Sequence, residues 1–431
     1  MSYFVQLARR DQCAFAIKSG GHGAFDGASN IAHGVTLSLE HLNEVSVSND
    51  SSTVYIGAGN TWFDVYGALE PRNLTVAGGR HYTVGVGGLS LGGGESYFSS
   101  LRGWTCDNIK GYRVVLADGS IVTVDKHTHG DLHWALRGGG NNFGIVTSVH
   151  MEPMALPGGK VWGGIRLHRE EERPKLLEAS YGLALAEIDS ATKAGQIITL
   201  MVAGGQKMGV SILTHSDALE TPDILSSFLS VPAVMDTTRT RLLTNLSREL
   251  GSFETGDSKR RARGTVTTSL TPDMLTASMR VCFEEFDSVA DVKGVGPSCV
   301  FQVIRKSQLD ATEERGGNAL PLSVEDGPLF LLNVNFGWSS VEDTSRVREA
   351  VWRVVQRTND YARDRGWDKT FRYMNYAGEF QDVIRGYGET NKARLKATAQ
   401  KYDPDRIFQT LQPGYFKLVV PPWTKNTTCE G

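Results

Sequence analysis

KSGGHGAFDG, Lys18 to Gly27, sets one histidine, His22, among four glycines, Gly20, Gly21, Gly23 and Gly27. An apolar run, Ala14 to Ile17, leads into it and reads as a strand. Glycine at this density costs conformational entropy and is kept where the backbone must come closer to something than a Cβ permits. Consecutive amide N–H groups in such a loop form a concave anion site suited to a pyrophosphate. A tight turn carrying a surface histidine would also account for these ten residues taken alone, so the decision rests on their company.

Two further glycine segments supply that company. In GRHYTVGVGGLSLGGGE, Gly79 to Glu95, glycine alternates with small apolar residues. It does not satisfy GxGxxG, because Ser90 stands where the third glycine after Gly85 and Gly87 belongs, so a Rossmann dinucleotide site is unsupported. Gly88-Leu89-Ser90-Leu91-Gly92 does fit GxSxG, the nucleophile elbow of a serine hydrolase. That elbow needs a helix right after it, and Gly93 and Gly94 start helices poorly. In RGGGNNFGIVTSV, Arg137 to Val149, a glycine and asparagine turn feeds an apolar strand and again offers backbone, although a plain turn before a buried strand reads the same way.

Other clusters are weaker. His127, His129, Asp131 and His133 look metal-rich, but Asp131 and His133 would not share a helix face and no second cluster completes a site. They read as a polar loop entering the helix HWAL, and no metal is expected. Tyr373 and Tyr376, in YMNY, have the spacing of core or interface aromatics as much as of catalytic ones.

The chain has 431 residues, 40% hydrophobic and 22% charged, with 45 basic and 48 acidic side chains. That balance argues against nucleic acid or an anionic membrane as the main partner. No run approaches the roughly 20 apolar residues of a membrane span. No secretory signal opens the chain. MSYFVQLARRDQ reads as the tail of an amphipathic helix with Tyr3, Phe4, Leu7 and Ala8 on one face, so chain upstream of Met1 is expected to be missing. The compartment is left open, with a secretory route available to a longer form carrying the sequons at Asn49, Asn73, Asn245 and Asn426. The five cysteines, Cys13, Cys106, Cys282, Cys299 and Cys429, form no CxxC pair and no zinc spacing.

Short strand-like runs broken by glycine fill the first 150 residues, with a hairpin expected at Asp118-Gly119 and helices over 61–69 and 132–136. After Pro153 to Gly159 the texture changes. Helices over 174–186, 271–286 and 341–365 alternate with strands such as 197–203, 210–213 and 329–334, which suits an α+β domain with an antiparallel sheet. A helix over 388–408 precedes a Pro/Gly-rich tail.

Taken together and in order, SGGH, TVGVGGLSLGGG, LRGGGNNFGIV, YMNYA and KYDPDRIFQTLQPGYFKL resemble the berberine bridge enzyme-like FAD-linked oxidases of the vanillyl-alcohol oxidase / p-cresol methylhydroxylase (PCMH) fold, in the form met in fungal secondary metabolism. The resemblance runs from about residue 12 to 418. It implies an α+β protein: a PCMH-type FAD-binding domain over 1–155, N-terminally incomplete, a substrate domain with an antiparallel sheet over 156–384, and a segment, 385–431, returning to the FAD domain.

The resemblance also implies roles. The loop Ser19, Gly20, Gly21, His22, Gly23 would hold the FAD pyrophosphate, with His22 bonded to the flavin 8α carbon. His81, Thr83, Val84, Gly85, Gly88, Leu89, Gly144, Ile145, Val146 and Asn375 would complete the cofactor site. His81 replaces the cysteine that forms a second tether in many members, so a single covalent bond is expected. Val84 matches the form associated with oxygen access, which favours an oxidase. Tyr376, with Tyr373 as second choice, would deprotonate the substrate while hydride passes to flavin N5; Gly378 stands where members often have Asp. The expected partners are a small organic secondary metabolite (an alcohol, an amine or a ring-closing precursor) and molecular oxygen. The alternatives are a non-redox cyclase with structural FAD and an inactive truncated product.

Overall fold

The computed structural model describes residues 1–252 and 258–419. They form two compact units: one of residues 1–159, 312–321 and 382 onward, the other of 160–311 and 322–381.

In the first unit, Val45–Val47, Val54–Gly57, Ile145–Met151, Ile109–Val115 and Ile121–Asp125 lie in that order in one antiparallel sheet. Outside it, the strand before the glycine loop, Phe15–Lys18, pairs in parallel with Val35–Ser38. The hairpin at Asp118-Gly119 forms, with Gly119 at φ +85° and its N–H donating to Leu116 O at 2.9 Å. The first helix, Ser2–Arg10, buries Val5 and Ala8, and Phe4 packs edge-on against Phe15 at 5.4 Å. The expected stripe is therefore rotated: Tyr3 is exposed, because the face that meets Phe15 runs through Met1, Phe4, Val5 and Ala8.

The helix expected over 388–408 is two. Gly388–Tyr402 ends at Asp403, whose carboxylate accepts the N–H groups of Ile407 and Phe408 at 2.8 Å each and so starts Ile407–Thr410. The span expected as one substrate domain, 156–384, is interrupted as well. Residues 312–321 belong to the first unit, where Thr312 Oγ1 and Asn318 Nδ2 donate to Asp107 at 2.7 and 2.8 Å and Arg315 pairs with Glu152 at 2.9 Å.

The second unit is built on an eight-stranded antiparallel sheet. Its order is Met235–Asp236, Lys160–His168, Gln206–His215, Ala194–Ala203, Gly296–Ile304, Leu329–Trp338 and Arg260–Ser269, with Arg239–Leu242 also pairing to Lys160–His168. Strand alternation sorts its two faces. Phe330, Leu332, Val334, Phe336 and Trp338 enter a core shared with the helices Arg173–Leu185, Pro272–Asp287 and Thr344–Arg363. A disulfide joins Cys282 to Cys299 inside that core, a pairing that the cysteine spacing does not announce. The opposite face carries Asn333 and Asn335 on the same strand, and a small apolar cluster, Ile165, Ile197, Met201, Val210 and Ile212, on the strands further along.

Candidate functional site

In the first unit the loop after Phe15–Lys18 is held from beneath by Ser19. Its Oγ donates to Ala58 O at 2.6 Å and accepts the N–H of Gly87 at 3.2 Å. This pins the loop 18–23 to the loop 81–88, and the two backbones touch at Gly20 and Gly85. A Cβ on Gly20 would lie 2.3 Å from Gly85 N. Gly21 turns the chain at φ +68°. The N–H groups of Gly20, Gly21 and Gly23 donate to no group among the described residues, so a short run of amides is left for an anion.

His22 stands at the edge of this run. Its Nε2 lies 2.9 Å from Thr83 Oγ1, and Thr83 Oγ1 lies 2.9 Å from His81 Nδ1. The His22 and His81 rings meet edge to face at 5.2 Å. Val84 is fixed by its backbone: its O accepts Trp62 N–H at 3.0 Å and its N–H donates to His81 O at 3.2 Å. Tyr66 Oη donates to Gly79 O at 2.7 Å and burial keeps its phenol neutral, which anchors the start of the same segment.

Gly88 and Leu89 lie on the short helix Val86–Leu91, and a Cβ on Gly88 would meet nothing within 4 Å. Gly144, Ile145 and Val146 lead into the middle strand of the sheet. Ile145 and Val146 are buried, and the strand joins the site through Ala58, whose N–H donates to Thr147 O at 2.9 Å. A flavin dinucleotide fits this arrangement: unused amides for its phosphates, a backbone contact that excludes side chains, and a histidine whose Nε2 is bonded to Thr83 Oγ1.

Ser90 is fully buried and its Oγ has no partner among the described residues, so nothing activates it as a nucleophile. His133 is turned inward to Ile109 O at 3.1 Å, Asp131 is taken by Lys401 and Tyr402, and no group of residues that could hold a metal occurs among the described residues.

The second unit carries the tyrosines. Tyr376 Oη lies 3.1 Å from Gln302 Nε2, and the ring of Tyr373 stands edge-on to that of Tyr376 at 4.7 Å. Asn375 Nδ2 donates to Tyr373 Oη at 3.1 Å. The segment is fastened to the edge strand Arg260–Ser269 by Gln381. Its Oε1 accepts the N–H groups of Thr265 and Gly378 at 2.8 and 3.1 Å, and its Nε2 donates to Thr265 O at 2.8 Å. A Cβ on Gly378 would meet Arg263 O at 2.1 Å, so this backbone leaves no room for a side chain where family members often carry Asp.

Gln302 and Gln381 carry no sequence signal of their own. On the same sheet face lies a cavity of about 150 Å³. Ile165, Met201, Val210 and Ile212 line one side of it, and Ser298, Asn335 and Arg261 the other. No helix among the described residues is long and apolar enough to cross a membrane.

Comparison with known proteins extends these observations. A family model described as an FAD binding domain matches residues 1–125. FAD-dependent monooxygenase FUP4 of Fusarium proliferatum (strain ET1) is 35% identical over 429 residues, 96% of this chain and 82% of that protein. The bifunctional solanapyrone synthase of Alternaria solani is 30% identical over 425 residues, 97% of this chain and 79% of that protein. Among solved structures, glucooligosaccharide oxidase from Acremonium strictum, described with a 6-S-cysteinyl, 8α-N1-histidyl FAD, matches with a TM-score of 0.78 at 19% identity, over 98% of this chain and 90% of that one. A berberine bridge enzyme variant described as a reticuline dehydrogenase matches with a TM-score of 0.74 at 16% identity, over 94% and 86%. At these identities the structures share the fold.

Proposed function

Because the chain belongs to the berberine bridge enzyme-like FAD-linked oxidoreductases of fungal secondary metabolism, we propose that it oxidises a small organic metabolite (an alcohol, an amine or a ring-closing precursor) with FAD attached through His22. One observation carries this reading: His22, held at Nε2 by Thr83, stands beside a run of uncommitted amides above the Gly20–Gly85 contact. Ser19, Gly20, Gly21 and Gly23 would hold the phosphates and His22 the ring. Bound there, FAD supplies a two-electron acceptor at N5 that O2 reoxidises.

The remaining work falls to the second unit. Tyr376 Oη takes the substrate proton, Gln302 fixes the direction of that hydroxyl, and Tyr373 packs its ring in place. The cavity, apolar on one side and polar on the other, suits a substrate with an apolar body and an oxygen or nitrogen function at one end.

An absorbance spectrum before and after acid precipitation tests the cofactor. A yellow pellet is expected, and a colourless protein overturns the reading. The names of the relatives favour a second one, monooxygenation. Turnover under 18O2 separates the two: the oxidase leaves the label in hydrogen peroxide, a monooxygenase in the product. A product formed with no consumption of O2 would instead indicate a non-redox cyclase.

A further inference from the structure

Four cysteines lie among the described residues, and only Cys106, which is buried, is a free thiol. Cys282 and Cys299 are bonded inside the core of the second unit, and Cys13 is disulfide-bonded as well. Structural disulfides form and persist in oxidising surroundings such as the secretory pathway, and are rare in the reducing cytosol. The sequons point the same way. Fifteen asparagines are described, and five of them, Asn30, Asn43, Asn49, Asn73 and Asn245, are exposed. The three that open an Asn-x-Ser/Thr sequon, Asn49, Asn73 and Asn245, are all among those five, and none of the ten buried or half-buried asparagines opens one. A sequon that arose by chance has no reason to avoid the interior. One that receives a glycan must end outside, because a glycan is bulky and strongly solvated.

The local structure leaves each of the three side chains available. Asn49 is at the tip of the connection between Val45–Val47 and Val54–Gly57. Around it Ser48 Oγ donates to Asp50 at 2.5 Å and accepts Thr53 N–H at 3.0 Å, and Asp50 accepts Ser52 N–H at 3.0 Å. The turn is thus held without the Asn49 side chain. Asn73 is fastened by its oxygen alone, since Oδ1 accepts Gly158 N–H at 2.8 Å. Asn245 lies on the helix Leu243–Ser252, which buries Leu243, Leu246 and Ser247 and leaves Asn245 outside.

We propose that this chain folds in the secretory pathway and carries N-linked glycans on Asn49, Asn73 and Asn245. In each transfer the bond from Nδ2 to C1 of N-acetylglucosamine forms, and the C1–O bond to a lipid diphosphate donor breaks. Nδ2 gives up one proton, the lipid diphosphate leaves, and nothing is oxidised or reduced. The amide keeps Oδ1 as an acceptor, so the Asn73 bond to Gly158 N–H survives the change. In the same compartment the thiols of Cys282 and Cys299 lose two electrons and two protons to a disulfide oxidant.

The test uses protein isolated from its native host. Peptide N-glycosidase in 18O water turns each glycan-bearing asparagine into 18O-labelled aspartate, and peptide mapping locates the label. A digest without the enzyme is the blank, because spontaneous deamidation takes up the same isotope. Label is expected at Asn49, Asn73 and Asn245, and none at Asn30 or Asn43, which are exposed but open no sequon. The fourth sequon, at Asn426, lies outside the described residues. A non-reducing map of the same sample is expected to show the Cys282 and Cys299 peptides joined. An asparagine without label overturns that site, and three without label overturn the secretory reading with them. The experiment reads no flavin, so it stands or fails apart from the oxidase reading.

Discussion

Gly20 and Gly85 meet backbone to backbone, with room for a side chain on neither: a Cβ on Gly85 would lie 2.2 Å from Gly20 N, and one on Gly20 2.3 Å from Gly85 N. Neither obstacle is a flexible side-chain end. Gly85→Ala must therefore part the two loops, at a cost of about 3 kcal/mol or more, and FAD retention should fall with it. Gly88→Ala is the contrast, since its Cβ meets nothing. That variant should keep or raise the apoprotein melting temperature, by up to about 1 kcal/mol of helix preference. Loss of FAD from it would report close approach by the cofactor itself. Thermal melts of apoprotein and flavin-to-protein absorbance ratios check both.

Tyr376→Phe keeps the ring against Tyr373 and removes only the hydroxyl facing Gln302. Flavin content should be unchanged and kcat should drop by about 10²- to 10⁴-fold. Gln381→Ala acts through structure instead. It strips the partners from the N–H and C=O of Thr265, worth about 1–3 kcal/mol for each group left unpaired, and frees the tyrosine segment. Its signature is a lower melting temperature with KM and kcat both altered. Steady-state kinetics beside a melt separate the two variants.

His133 gives the fold a defined acid limb. Burial, together with the Arg137 charge, lowers its pKa to about 4, and its ring is bonded to Ile109 O. The unfolded chain binds this proton below about 6.5, the folded chain only below about 4. Stability from this group is complete above about 6.5 and is lost as pH falls through that window, up to about 3 kcal/mol in all. His133→Gln should flatten the pH dependence of urea unfolding between those limits. An unchanged slope would mean the imidazole ionises freely in the fold.

The Cys282–Cys299 bond closes a separation of 17 residues between a helix and a strand that both face the larger core. Replacing both cysteines by alanine should cost about 3 kcal/mol through a freer unfolded chain. Both residues are fully buried, so a thiol reagent should label them only after denaturation and reduction. The flavin spectrum should be unaltered in the double variant.

Much of the first unit was legible in its sequence because its demands are local. A loop that must offer amides or bear another backbone needs glycine at that position, so Gly20, Gly21, Gly23 and Gly85 mark it directly. Strand alternation and the Asp118-Gly119 turn are likewise written in neighbouring residues. Helix 388–408 was misread because the break at Asp403 depends on a carboxylate reaching two amides further on, which periodicity does not record. Gln302 stayed invisible for a stronger reason: its partner, Tyr376, is 74 residues away, and a glutamine in a strand looks like any other.

The sequence by itself determined that a histidine-bearing glycine loop, a second glycine segment and a tyrosine pair would occur in this order within an α+β chain. Each of these requirements is met by residues within a few positions of one another. Only the tertiary structure decided that His22 Nε2 meets Thr83, that Thr83 links it to His81, that Gln381 fastens the tyrosine segment to a sheet edge, and that residues 312–321 join the first unit. Hydrogen-bond direction and loop docking depend on distances between segments far apart in the chain. Sheet register and core packing set those distances, and no local pattern of residues carries them.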